Sequence, residues 1–199
     1  MTALAFADPV FESQAVFRRI MRAMAVPGTI FHCGESLAPP APLAPAAAAA
    51  LLTLADFETP LWIAPSFAAA SGGAVAAYLT FHTGAPLAPS PETAAFALID
   101  LAADGLRLER FAQGTAEYPD RSTTAVAQGA CLGEGPKLTL AGPGVAGEAE
   151  LRAEGLPRDF LAQWAANRGG FPLGVDMILA AGTALACLPR SVVLSQEMR

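Results

Sequence analysis

Apolar positions along the 199-residue chain switch between a helical spacing and short continuous runs, and this alternation sketches the elements. A helix opens at Asp8–Pro9, where Asp caps free N–H groups and Pro fits the first turn. Phe17, Ile20, Met21 and Met24 recur on one of its faces, Arg18, Arg19 and Arg22 crowd the others, and Pro27–Gly28 ends it. The segment 29–33 (TIFHC) reads as a strand, 37–45 (LAPPAPLAP) as a proline-rich loop, and 46–56 as a helix with Leu51, Leu52 and Leu54 as its buried stripe. Strands follow at 59–64 and 96–101, the second continuous enough in apolar residues to lie inside a sheet. Between them, 74–84 (AVAAYLTFHTG) fits a short helix or a strand equally well. Further strands fall at 122–128 and 137–142, and Gly142–Pro143–Gly144 turns the latter into 148–155 as a hairpin. A helix over 157–167 and a pair of strands at 175–182 and 183–189 complete the pattern. Helices and strands interleave throughout, which predicts a layered α/β domain with a mixed sheet, one domain over residues 1–199.

Composition narrows the function classes. Apolar residues make up 53 % of the chain, largely as alanine, and no uninterrupted stretch reaches the roughly 18 residues needed to span a bilayer. The N-terminal MTALAFADPVFES lacks a basic region before its apolar part, so the expectation is a cytoplasmic protein without a secretory signal or membrane contact. A net charge of −6 argues against general nucleic-acid binding but leaves room for a small anion held by local arginines. All the cationic residues except Lys137 are Arg, the side chain suited to bidentate phosphate contacts. Cys33, Cys131 and Cys187 are odd in number and far apart, which predicts reduced thiols rather than disulfides, a zinc site or an iron–sulfur ligand set. His32 and His82, fifty positions apart, carry no metal-ligand pattern.

No phosphate-binding P-loop, dinucleotide fingerprint or nucleophile elbow is present, so no catalytic residue is assigned. Three segments stand out from the alanine-rich background: 8–28 (DPVFESQAVFRRIMRAMAVPG), 114–124 (GTAEYPDRSTT) and 167–179 (NRGGFPLGVDMIL). In the second, Arg121, Ser122 and Thr124 follow a proline-fixed turn and offer donors for a phosphate or phosphonate; an internal salt bridge tying loop to strand accounts for them as well. In the third, Asp176 sits inside an apolar strand, where a carboxylate needs a partner, with Arg168, Arg190 or Arg18 as candidates. Such a pair is a buried bridge, an interface contact or one wall of a ligand cleft.

Taken together the three segments resemble the PhnH family, a subunit of the bacterial carbon–phosphorus lyase machinery, from about Phe6 to Leu194. The matching positions include Gln14, Phe17, Arg18, Pro27 and Gly28, then Tyr118, Pro119, Arg121, Ser122 and Thr124. They continue through Gly142, Pro143 and Gly144 to Phe171, Pro172, Gly174, Asp176, Pro189 and Arg190. Val26 stands where members of the family often carry Arg before the Pro–Gly turn. The resemblance implies a three-layer α/β/α fold similar to the large domain of aminotransferase-type pyridoxal-phosphate enzymes, but without that cofactor. In agreement, the only lysine available for a Schiff base is Lys137, at the mouth of a strand where a surface lysine is the plain expectation. The resemblance further implies a homodimer that joins PhnG-, PhnI- and PhnJ-like subunits in the lyase core. With PhnL-like partners as well, that assembly supports formation of a ribosyl-phosphonate triphosphate from ATP and an alkyl phosphonate. Two roles follow: an interaction subunit, or a subunit that itself binds the nucleotide or phosphonate through Arg121, Ser122, Thr124, Asp176 and Arg190.

Overall fold

The computed structural model describes residues 5–196. The expectations for the leader-free N-terminus and for one domain over the whole chain both extend to terminal residues outside that range. Asp8 caps α1 (Pro9–Ala25) by accepting from the Phe11 N–H at 3.2 Å, and Pro9 occupies the first turn. After β1 (Phe31–His32) and the proline-rich loop come α2 (Pro45–Leu54), β2 (Leu61–Ile63), α3 (Pro65–Ser71) and α4 (Ala74–Thr83). The segment 74–84, whose sequence fits a helix or a strand equally well, is thus a helix, set between Gly73 and Gly84, both in left-handed conformation. Next are β3 (Phe96–Asp100), β4 (Thr124–Gln128), the long β5 (Cys131–Ala141), β6 (Ala149–Glu154), α5 (Phe160–Gly169), β7 (Asp176–Ala181), β8 (Ala184–Leu188) and β9 (Val193–Ser195). The sequence pattern does not mark α3 or β9, each too short for a period to register.

Six strands form a mixed sheet in the order β1-β8-β7-β4-β3-β2. Strands β2, β3, β4 and β7 run parallel, while β8 folds back on β7 and β1 pairs antiparallel with β8. Successive residues of the inner strands face opposite layers. Leu98, Val126, Ile178 and Cys187 pack under the helices α1, α2 and α4. Ala97, Ile99, Ala125, Ala127, Met177, Leu179 and Ala186 pack under α5 and the small sheet β6-β5-β9. Both faces are buried, which explains why these strands read as unbroken apolar runs. Alanines on the second face leave room for Phe111, Phe160 and Trp164, and the Trp164 indole N–H donates to the Val192 carbonyl at 2.9 Å. That layer is therefore one helix and a three-stranded sheet rather than helices alone.

Two helices bury other residues than their spacing suggests. In α2, Ala46 through Leu51 are all fully buried, while Leu52 and Leu54 are only half-buried. The alanine run lets α1, α4 and the sheet approach from several sides, so the helix has no single apolar stripe. In α1 the buried face is Val16, Ile20 and Ala23; Met24 is half-buried, and Phe17 and Met21 lie outside. The close approach to an alanine-lined neighbour selects the small and β-branched side chains and leaves the long ones on the rim.

Candidate functional site

Asp176 and Arg190 meet at the amino edge of the parallel strands. Asp176 opens β7, and Arg190 follows β8, which returns alongside β7. The Arg190 Nε–H donates to Asp176 Oδ1 and Oδ2 at 3.2 and 3.1 Å, and Nη2 donates to Oδ2 at 2.5 Å. The Arg190 backbone N–H adds a bond to Oδ1 at 2.7 Å. Nη1 donates to the carbonyls of Pro119 at 2.9 Å and Pro172 at 3.3 Å, and Nη2 also donates to the Ser122 hydroxyl at 2.6 Å. A guanidinium has five N–H groups. All five are engaged within the chain, so the cation holds the 119–122 turn, the 171–174 loop and the start of β7 in one clamp.

The other candidates behave differently. Ser122 is buried and accepts from Arg190. Thr124 is half-buried at the start of β4, and its backbone N–H donates to the Ala95 carbonyl at 2.9 Å. Arg121 is exposed, with its guanidinium carbon 4.1 Å from the centre of the Tyr118 ring and no carboxylate partner among the described residues. Of the five residues, Ser122, Asp176 and Arg190 join in the clamp, Thr124 is the register neighbour of Asp176 across β4 and β7, and Arg121 lies over an aromatic face instead of donating to the clamp. Arg168 and Arg18, the other proposed partners of Asp176, take no part.

Open parallel sheets hold their ligands beyond the carboxyl ends of the strands, and here the end of β4 is covered by the chain itself. Gln128, buried at the end of β4, accepts from the Ala44 N–H and donates to the Pro42 carbonyl, both at 2.9 Å. It pins the proline-rich loop over the sheet. The Ala46 N–H in the first turn of α2 donates to the Gly182 carbonyl at 2.8 Å, so that helix start is not open to an anion.

Two further parts of the signature segments are occupied by folding. Gly144 has φ +80°, and a Cβ there would run directly into the Ala25 carbonyl oxygen. The Gly142–Pro143–Gly144 turn thus seats on the last turn of α1, where Pro27–Gly28 leaves the helix. Asn167, buried at the end of α5, donates to the Val175 carbonyl at 3.0 Å and accepts from the Val175 N–H at 2.8 Å. Neither Gln128 nor Asn167 is singled out by sequence reasoning, although Asn167 opens the third signature segment and an amide there is a usable signal.

Lys137 lies on β5, outside the six-stranded sheet, and its ammonium is 3.2 Å from Glu150. His32 Nδ1 is 3.3 Å from the Thr183 hydroxyl, and His82 is edge-on to Tyr78 and Phe81. No group of three or more metal-ligating side chains occurs among the described residues. Burial pushes the Cys33 thiol up to about 11 and raises Cys187 further, whereas Cys131 is exposed.

Comparison with known proteins identifies the family. The model of the bacterial phosphonate metabolism protein PhnH matches residues 4–195. The alpha-D-ribose 1-methylphosphonate 5-triphosphate synthase subunit PhnH of Rhizobium meliloti (strain 1021) is 44 % identical over 193 residues, covering 97 % of this chain and 95 % of the relative. A putative C-P lyase subunit protein, HtxG, of Stutzerimonas stutzeri is 35 % identical over 184 residues, covering 89 % and 83 %. With the match running through all three signature segments, the chain belongs to the PhnH family of bacterial phosphonate metabolism proteins.

Proposed function

We propose that this chain is a subunit of a carbon–phosphorus lyase assembly in organic phosphonate breakdown, and that its role is to hold partner subunits rather than to make or break bonds. The relatives' names supply the pathway: one is a ribose methylphosphonate triphosphate synthase subunit, the other a lyase subunit. The observation that carries the interaction role is the Arg190 clamp. Arg190, one of the two arginines among the candidate ligand groups, has every donor committed inside the chain. In this reading the protein is a cytoplasmic homodimer of one domain that joins PhnG-, PhnI- and PhnJ-like subunits. Its mixed sheet corresponds to the large domain of aminotransferase-type enzymes without a Schiff-base lysine. No helix among the described residues is long and apolar enough to cross a membrane.

A second reading keeps a ligand role for Arg121, because its exposed guanidinium has no ion-pair partner among the described residues and is open to an anion. Growth on methylphosphonate as sole phosphorus source, in a strain lacking the gene, tests both. The expected outcome is growth restored by wild type and by Arg121→Ala. Calorimetry of the purified protein against ATP, ribosyl triphosphate and methylphosphonate is expected to show no binding. Micromolar binding abolished by Arg121→Ala would overturn the interaction role in favour of the ligand role. Failure of the wild-type gene to restore growth would overturn the pathway.

A further inference from the structure

Helix α1 carries a second apolar face that the fold leaves uncovered. Val10 is 73 %, Phe17 44 % and Met21 53 % exposed, and they follow the i, i+7, i+11 spacing of one helix ridge, with Gln14 between them. That ridge is about 16 Å long, from the rise per residue of an α-helix. Phe11, 71 % exposed, lies beside it in line with Arg18 and Arg22. Scattered exposed apolar residues need no explanation, but four large ones on one helix form a patch.

The charges around the ridge specify what would cover it. Arg18, Arg19 and Arg22 place three of the twelve cationic residues within five positions, on a chain of net charge −6. Neither Arg18 nor Arg22 has a carboxylate within ion-pair distance among the described residues, and at i, i+4 they repel each other. The acids of the same helix start are engaged internally. Asp8 caps the Phe11 N–H, while Glu12 accepts from the Ser36 hydroxyl at 2.6 Å and the Asp8 N–H at 2.9 Å. A second copy laid symmetrically on this face would bring arginines to arginines with no free carboxylate on either α1 to meet them. We infer that the outer face of α1, centred on Phe17 and Met21 and flanked by Arg18 and Arg22, docks an acidic amphipathic segment of a different subunit of the assembly. Apolar side chains of that segment cover the ridge and its carboxylates pair with the two arginines.

The inference rests on the subunit role proposed above, and its test separates the two. The full chain is co-expressed with the companion lyase subunits of its source organism. Wild type is compared with Phe17→Glu/Met21→Glu, with Arg18→Glu/Arg22→Glu, and with Phe81→Glu on the exposed side of α4 as a control. All four positions in α1 are exposed, so thermal melts of the isolated variants are expected to match wild type. The expected result is co-elution of wild type and Phe81→Glu with the assembly, and at least a tenfold loss of affinity in both α1 variants. A photo-crosslinking amino acid at position 17 is expected to label an acidic peptide of another subunit. Undiminished assembly of the α1 variants would overturn the docking face alone. So would a crosslink to a second copy of the chain, or wild-type binding to anionic vesicles that the α1 variants lose. Failure of wild type to assemble would overturn the subunit role and the docking face with it.

Discussion

Replacing Arg190 by Met removes the clamp while keeping much of the side chain's bulk. The Arg190 and Asp176 side chains are 14 % and 21 % exposed, so the pair behaves more like a buried ion pair than a surface one. Breaking a buried pair from one side costs about 3–5 kcal/mol, because the surviving charge is left desolvated. Residual exposure sets the expectation near the lower end, about 3 kcal/mol. The carbonyls of Pro119 and Pro172 and the Ser122 hydroxyl lose their donors in the same step. Asp176→Asn keeps an oxygen for the Arg190 backbone N–H but strands the guanidinium, and is expected to cost about 2 kcal/mol. The double variant strands neither charge, so its cost should be close to about 3 kcal/mol rather than the sum, a coupling of about 2 kcal/mol. For a chain of this length each kcal/mol moves Tm by about 2–4 °C. Urea melts and calorimetry of the four proteins measure the cycle. A wild-type-like Tm for Arg190→Met, or a double variant as costly as the two singles combined, would refute the clamp as a structural device and restore Arg190 as a candidate ligand group.

Other consequences are as direct. Arg121→Ala is expected to change stability by no more than about 0.5 kcal/mol, since it removes an exposed contact with Tyr118. Gly144→Ala places a Cβ against the Ala25 carbonyl in a left-handed backbone and is expected to cost about 3 kcal/mol, against about 1 kcal/mol for Gly147→Ala, where φ is similar but the space is open. Gln128→Ala should cost about 1–3 kcal/mol and raise hydrogen exchange at the Ala44 amide, which loses its acceptor. A thiol that stays protonated more firmly in the folded chain stabilises it below its ordinary pKa, and that contribution disappears as pH rises through the folded value. Stability should therefore fall between pH 9 and about 11, with Cys33 accounting for about 2–3 kcal/mol of the fall, and less of it in Cys33→Ala; at neutral pH only Cys131 should react rapidly with alkylating agents.

The inner strands were legible because both faces of the sheet are buried: runs such as FALID and DMILAA admit little else, and the β7–β8 hairpin follows from the Gly182 turn between them. Helix positions were legible too, through Asp8–Pro9 and Pro27–Gly28. What periodicity could not supply was the choice of buried face. The stripe on α1 depends on α2 being lined with alanine, and the Ala46–Leu51 run of α2 has no solvent-facing side because neighbours close in all round it. Both are properties of the partner surface rather than of the helix. The same limit applies to Gln128 and Asn167. A polar residue closing a strand or a helix does not announce which distant backbone it satisfies, and these two reach Pro42 and Val175.

Many of the residues that carry the family likeness turn out to fix long-range geometry. Pro27–Gly28 meets Gly142–Gly144, and Pro119, Ser122, Pro172 and Asp176 meet on Arg190. Each is a site where one backbone conformation or one donor set fits, and such sites tolerate few alternatives wherever the fold is kept. A signature made of them identifies the fold sharply while remaining silent about chemistry. The functional content must then lie in surface that the fold does not need, and α1 shows how such surface is recognised. Its Phe17 and Arg18 belong to the signature, yet neither is buried and neither is held by the rest of the chain. Structural residues explain themselves by their contacts. An exposed aromatic beside an unpaired arginine has no such explanation within one chain, and a binding partner supplies it.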